Sequence, residues 1–160
     1  MRTSRILPAA AFIGIACAAY FVFRPATVSA PMTVSAPKAD WATDFEAAKA
    51  DAAKSGRKLL LDFTGSDWCI YCQKLDAEVL ATPEFKSFAK DYVLVCVDFP
   101  KAKELPAAEK KQNDALGERF KIEGYPTLIV ADASGTEVRR AVGYEPGSGP
   151  GAYLAQLAPN

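Results

Sequence analysis

The chain has no histidine, and only four of its 160 residues are cysteine. Without histidine, a four-ligand zinc site would have to recruit carboxylates, and the imidazole that stabilises some reactive thiolates is missing. An excess of one charge is also lacking: nineteen basic side chains balance nineteen acidic ones. No basic run is longer than a pair, so nucleic acid is not an expected partner. Half of the residues are hydrophobic, which suits one domain plus a targeting segment.

The first forty residues read as a leader and a tether. Arg2 and Arg5 precede residues 6–23, eighteen positions without a charge, and Arg24 closes the run. As a helix the run would reach roughly 27 Å, close to the thickness of a hydrocarbon core. It exceeds the usual signal-peptide core, which favours an uncleaved anchor over a cleaved signal. Ala16-Cys17-Ala18 has the small-x-small form of a cleavage site but sits inside the apolar run. Val28-Ser29-Ala30 also fits, yet Pro31 follows it. Gly14-Ile15-Ala16-Cys17 only weakly matches a lipidation box, because Ala18 to Phe23 stay apolar. The cationic flank places the N-terminus in the cytoplasm and the remainder outside, on the periplasmic side of a bacterial-type envelope. Such a compartment permits a working disulfide. Residues 25–39 repeat Thr27-Val28-Ser29-Ala30-Pro31 as Thr33-Val34-Ser35-Ala36-Pro37 and read as an extended linker. The expected layout is therefore an anchor or signal over 1–24, a linker over 25–39 and a domain over 40–160.

Within the domain, Trp68-Cys69-Ile70-Tyr71-Cys72 carries the most information. It follows a strand-like apolar run over 58–63 and precedes a helical pattern over 73–80. A cysteine at the first turn of a helix lies near unpaired backbone N–H groups and the positive end of the helix dipole, which favours its thiolate. A second cysteine three residues on faces the same side, within reach of a disulfide. Cys69 is thus expected to be the exposed nucleophile and Cys72 the resolving thiol. Half of a structural zinc site and an inert structural disulfide are the competing readings. Cys96 sits in a strand-like run and reads as a small buried hydrophobe.

The surrounding pattern predicts an amphipathic helix over 40–55, with Trp41, Phe45, Ala48 and Ala52 on one face and Gly56 as its stop. Thr82-Pro83-Glu84 opens a short helix to Lys90. Residues 92–98 form a nearly continuous apolar strand, as suits burial on both faces. A charged helix over 105–120 follows, then strands over 127–131 and 136–142 joined by Asp132-Ala133-Ser134-Gly135. A last helix covers 152–157. The order α-β-α-α-β-α-β-β-α implies an α/β fold, a mixed sheet with helices on both faces.

Three separated features carry a family resemblance: Leu61-Asp62-Phe63 leading into Trp68-Cys69-Ile70-Tyr71-Cys72, then Gly124-Tyr125-Pro126-Thr127, then Val142-Gly143. With them the domain from about Asp40 resembles the thioredoxin superfamily. It is most similar to exported bacterial thioredoxin-like proteins with a long insertion before the proline loop. The resemblance implies a thioredoxin fold and a thiol–disulfide oxidoreductase that needs no metal or organic cofactor. It implies a cis Tyr125–Pro126 bond facing the dithiol. Trp68, Ile70, Tyr71, Tyr125, Pro126 and Thr127 would then bind substrate. Asp62 would be the buried acid that moves a proton to and from the deeper cysteine, since burial raises a carboxyl pKa toward general acid–base use. The lysine that often pairs with this acid is absent if Leu94 is its strand position.

The Ile70–Tyr71 dipeptide and the missing histidine lean the reading toward a reductase or isomerase. Expected partners are disulfide-containing envelope proteins and an unidentified electron donor or acceptor, with anchoring through residues 6–23. A thioredoxin-fold binding or chaperone module that has lost turnover is the main alternative. A metal-handling protein and a peroxidase acting through Cys69 are weaker ones.

Overall fold

The computed structural model describes residues 40–158. The expected anchor over 6–23, the linker over 25–39 and Cys17 lie outside the described residues. Among the described residues no helix is long and apolar enough to cross a membrane.

Helix α1 (Phe45–Ser55) leads into strand β1 (Lys58–Thr64), and α2 (Ile70–Leu75) continues into a widened π-type turn, Asp76–Leu80. Helix α3 (Pro83–Phe88) and one 3-10 turn precede β2 (Tyr92–Asp98). Helix α4 (Ala107–Arg119), strands β3 (Thr127–Ala131) and β4 (Glu137–Val142), and α5 (Gly149–Ala155) complete the order. The sheet runs β2-β1-β3-β4, with β1 and β2 parallel and the other pairs antiparallel. The element order and the mixed, doubly covered sheet agree with the sequence pattern.

Side chains alternate across a strand, so the sheet has two distinct faces. One carries Leu59, Leu61, Phe63, Val93, Val95, Val97 and Ile129 against α1 and the Leu116–Phe120 end of α4. The other carries Leu60, Leu128 and Val130 against Leu75, Val79, Phe85 and Tyr153 from α2, the π-type turn, α3 and α5. Each of these large apolar side chains contributes roughly 1.5–3 kcal/mol when fully buried.

Several boundaries differ from expectation for local reasons. Helix α1 begins at Phe45, because the Asp44 carboxylate accepts from Ala47 N–H at 2.9 Å and caps it. Residue Ala42 instead bridges to β2, its N–H donating to Leu94 C=O at 2.9 Å. Trp41 therefore leaves the α1 face and stacks on Phe85, ring centroids 5.9 Å apart. Helix α4 starts only at Ala107, after Pro106, whose fixed φ suits a helix entrance. Strand β4 starts at Glu137 because Asp132 Oδ1 accepts from both Ser134 and Thr136 N–H at 2.9 Å and closes the hairpin turn. The last helix lies earlier than expected, at Gly149–Ala155.

Candidate active site: a dithiol at a strand-to-helix turn

Strand β1 ends at Thr64, and the chain turns through Gly65 into α2. The Gly65 carbonyl accepts from Trp68 N–H at 3.2 Å and Cys69 N–H at 2.8 Å. A Cβ on Gly65 would run into the Trp68 indole, so the turn needs glycine for that close approach. Cys69 occupies the N-cap of α2 in an extended conformation, and its Sγ accepts from Cys72 N–H at 3.2 Å. Cys69 and Cys72 form a disulfide with Cα atoms 5.2 Å apart.

Cys69 was expected to be exposed; in this oxidised state it is 5% exposed, and Cys72 1%. The reason is the cap: Sγ folds back onto the helix N–H and into the disulfide instead of pointing outward. The exposed groups around it are apolar. Trp68 is 38% exposed, Ile70 46% and Tyr71 52%.

The Tyr125–Pro126 peptide is cis. Tyr125 meets Trp68 edge-on at 5.6 Å and Phe99 at 5.4 Å, so one aromatic chain joins the proline loop to the dithiol turn. Burial raises the Tyr125 hydroxyl pKa. Pro126 and Thr127 are buried, and Thr127 Oγ1 donates to Gly124 C=O at 2.8 Å. Pro126 C=O accepts from Gly143 N–H at 2.8 Å, which holds the loop against the end of β4.

Asp62 is 1% exposed. Alternation along β1 puts it on the face of Leu60, the face that α2 covers. On β2, Cys96 stands opposite Asp62 in the register, and Leu94 lies two residues before it on the same face. Cys96 is half-buried and not fully enclosed as expected, because β2 is the outer strand of the sheet.

Sequence reasoning missed a brace beside the dithiol. The Asp67 carboxylate accepts from the backbone N–H groups of Lys101, Ala102 and Lys103 at 2.7–3.2 Å. The Lys101 N–H, with those of its two neighbours, holds the Asp67 pKa below the usual carboxylate value. Trp68 Nε1 donates to Phe99 C=O at 2.7 Å, and Lys101 Nζ lies 3.9 Å from the Trp68 ring centroid. Asp98, 6% exposed, accepts from Ser66 N–H and Oγ and pairs with Lys103 Nζ at 2.8 Å. This hydrogen bond, ahead of the charge attraction, raises the Lys103 pKa. The stretch 99–105 thus forms a wall beside the dithiol turn and borders a pocket of about 480 Å³.

A second brace links the redox helix to the far loop. Glu78 Oε2 accepts from Tyr144 Oη and Gly147 N–H, both at 2.7 Å. The Gly147 N–H, then the Tyr144 hydroxyl, lowers the Glu78 pKa. An acid next to Trp68 and an acid one turn past the dithiol were the available sequence signals. Their partners lie more than thirty positions away and are mostly backbone, which no residue pattern marks.

A disulfide at the N-cap of a helix, its turn joined through Trp68 and Tyr125 to a loop with a cis proline, has the make-up of a centre for thiol–disulfide exchange. The model of the thioredoxin-like domain family matches residues 45–158. Over 125 residues the chain is 34% identical to a disulfide bond reductase, DsbH, of Chlamydia pneumoniae, covering 78% of this chain and 74% of that protein. It is 34% identical over 121 residues to a thioredoxin-related protein, DsbJ, of the same organism, but spans only 34% of its length. The solved structure of a DsbH oxidoreductase superimposes with a TM-score of 0.66 at 32% identity, covering 77% of this chain and 88% of that one. The chain belongs to the thioredoxin-like family and is a thiol–disulfide oxidoreductase.

Proposed function

We propose that this oxidoreductase works as a reductase or isomerase on disulfides of exported proteins, with Cys69 as nucleophile and Cys72 as resolving thiol. The Cys69 thiolate attacks one sulfur of the substrate disulfide, and the other substrate sulfur leaves as thiolate. Cys72 Sγ then attacks Cys69 Sγ, gives up its proton to Asp62, and expels the second substrate sulfur. Two electrons pass to the substrate, and the Cys69–Cys72 disulfide remains for an external dithiol donor to reduce. Trp68, Ile70, Tyr71, Tyr125, Pro126 and Thr127 form the groove that receives the substrate chain.

The observation that carries this reading is the capped cysteine. Cys72 N–H points at Cys69 Sγ, so a charge-assisted hydrogen bond is available to the thiolate when the disulfide opens. The exposed apolar rim and the similarity to a disulfide bond reductase support the protein-substrate and reductase parts. An anchor or signal over 1–24 and a linker over 25–39 would put the domain, 40–160, on the periplasmic side, tethered rather than released. The mass of the mature chain separates the two, since cleavage would remove the segment.

The test is trapping. In the Cys72→Ser chain, an insulin mixed disulfide should accumulate on Cys69 and resist turnover. A chain that reduces insulin at full rate without Cys72, or forms no adduct, contradicts the two roles.

A further inference from the structure

On the face of the sheet that α2 covers, α5 sends one polar group into a layer of apolar side chains that also holds Asp62. Tyr153 is 3% exposed, and its hydroxyl has no hydrogen-bond partner among the described residues. Its ring packs in the layer of Leu60, Leu75 and Leu128. Asp62 occupies that face, two residues along β1 from Leu60 and directly across from Leu128 in the register. The neighbouring Tyr144 meets Tyr153 edge-on at 5.5 Å, but its own hydroxyl is committed to Glu78. Of the two phenols, only that of Tyr153 keeps its donor for this layer.

Burying a hydroxyl without a partner is costly, and phenylalanine would fill the same space. Burial, then the nearby Asp62 carboxylate and Tyr144, pushes the Tyr153 pKa far up. The hydroxyl therefore stays protonated and keeps a hydrogen to donate. The titratable and charged groups around this layer are few. Cys72 comes from α2, with Lys74, Asp76 and Glu78 beyond it on the same helix and its turn. Strand β2 brings Tyr92 and Cys96, with Asp98 and Lys103 paired at its end. The loop after β4 brings Tyr144, whereas β3 presents Leu128 and Val130, and α3 presents Phe85.

We propose that Tyr153 is a positioning residue for proton transfer, its side chain shifting in the reduced protein so that its hydroxyl donates to the ionised Asp62 carboxylate. The proposal rests on the reading of Asp62 as the acceptor of the Cys72 proton. Tyr153 keeps its own proton throughout: the Cys72 S–H proton goes to Asp62, and the electron pair goes with the departing substrate thiolate. By donating to the charged carboxylate, the hydroxyl favours the form of Asp62 that can accept the Cys72 proton.

The experiment follows single-turnover reduction of insulin by the fully reduced full chain across pH, in parent, Tyr153→Phe and Asp62→Asn forms. Because Cys69 is common to all three, differences between profiles report the deeper step. In Tyr153→Phe the rising limb should move to higher pH, with turnover at pH 7 lower by on the order of tenfold and parent rates regained at high pH. Its melting temperature should not fall, since no hydrogen bond of the oxidised protein is lost. If Asp62→Asn flattens the limb while Tyr153→Phe leaves it in place, the role of Tyr153 is overturned and that of Asp62 stands. If Asp62→Asn reproduces the parent profile, both fall.

Discussion

On the side covered by α1 and α4, strands β1 and β2 present Leu59, Leu61, Phe63, Val93, Val95 and Val97, all but Val93 fully buried. On the side covered by α2, α3 and α5 the same strands present Asp62, Thr64, Cys96 and Asp98 toward their C-terminal ends. Asp62, Thr64 and Asp98 are buried there as well. Buried polar groups cost about 1–3 kcal/mol each where a hydrogen bond is missing, as for Thr64 Oγ1. The opposite face contributes a comparable amount per apolar side chain, so it offsets what the reactive face gives up. One face fixes the sheet, and the other can then hold buried polar groups near the dithiol.

Changes that separate the two faces should separate activity from stability. The largest effect is expected for Cys69→Ser, which should drop insulin reduction to the uncatalysed level while the thermal unfolding of the reduced chain barely changes. Leu61→Ala, on the apolar face, should do the reverse: about 2–5 kcal/mol of stability lost in urea unfolding, with the dithiol potential unmoved. A potential shift in Leu61→Ala as large as in a dithiol mutant would break the division of labour.

Asp67→Ala should release the 99–105 wall without touching either face. It is expected to raise KM for a protein substrate several-fold more than it lowers kcat, because the Trp68 rim loses its backing. The same brace predicts a pH effect. The Asp67 pKa in the folded chain is below its ordinary value of 3.8. Its stabilisation is therefore complete above that value and lost as pH falls through the lower folded one. Trp68 emission, in a Trp41→Phe background, should hold steady from neutral pH down to that range and then change. In the Asp67→Asn chain that transition should vanish. The smallest effect is expected for Lys101→Ala: an exposed cation over an indole is worth about 0.5–1 kcal/mol at most, readable as a small drop in melting temperature.

The sequence made the dithiol turn, the 92–98 strand and the proline loop legible, because each is local. Two cysteines three apart, a nearly continuous apolar run and a Tyr-Pro pair carry their meaning in adjacent residues. The start of α1 was misread because Trp41 and Phe45 fit one helical face on paper. The capping carboxylate of Asp44 and the bridge from Ala42 to β2 decided otherwise. Cys96 is less buried than its apolar neighbours imply, because nothing in the run 92–98 tells that β2 lies at the edge of the sheet. The Asp67, Glu78 and Tyr153 contacts were invisible for the same reason. Each joins a side chain to groups brought close only by the finished fold.

The reduction potential of the Cys69–Cys72 pair, measured by equilibrating the full chain with graded glutathione buffers, tests the central claim most directly. A value near about −270 mV, in the range of reducing dithiols, is the result this account predicts. A value near about −120 mV would make the chain a disulfide donor and contradict the reductase reading, and failure to form the Cys69–Cys72 disulfide at any poise would contradict dithiol catalysis itself.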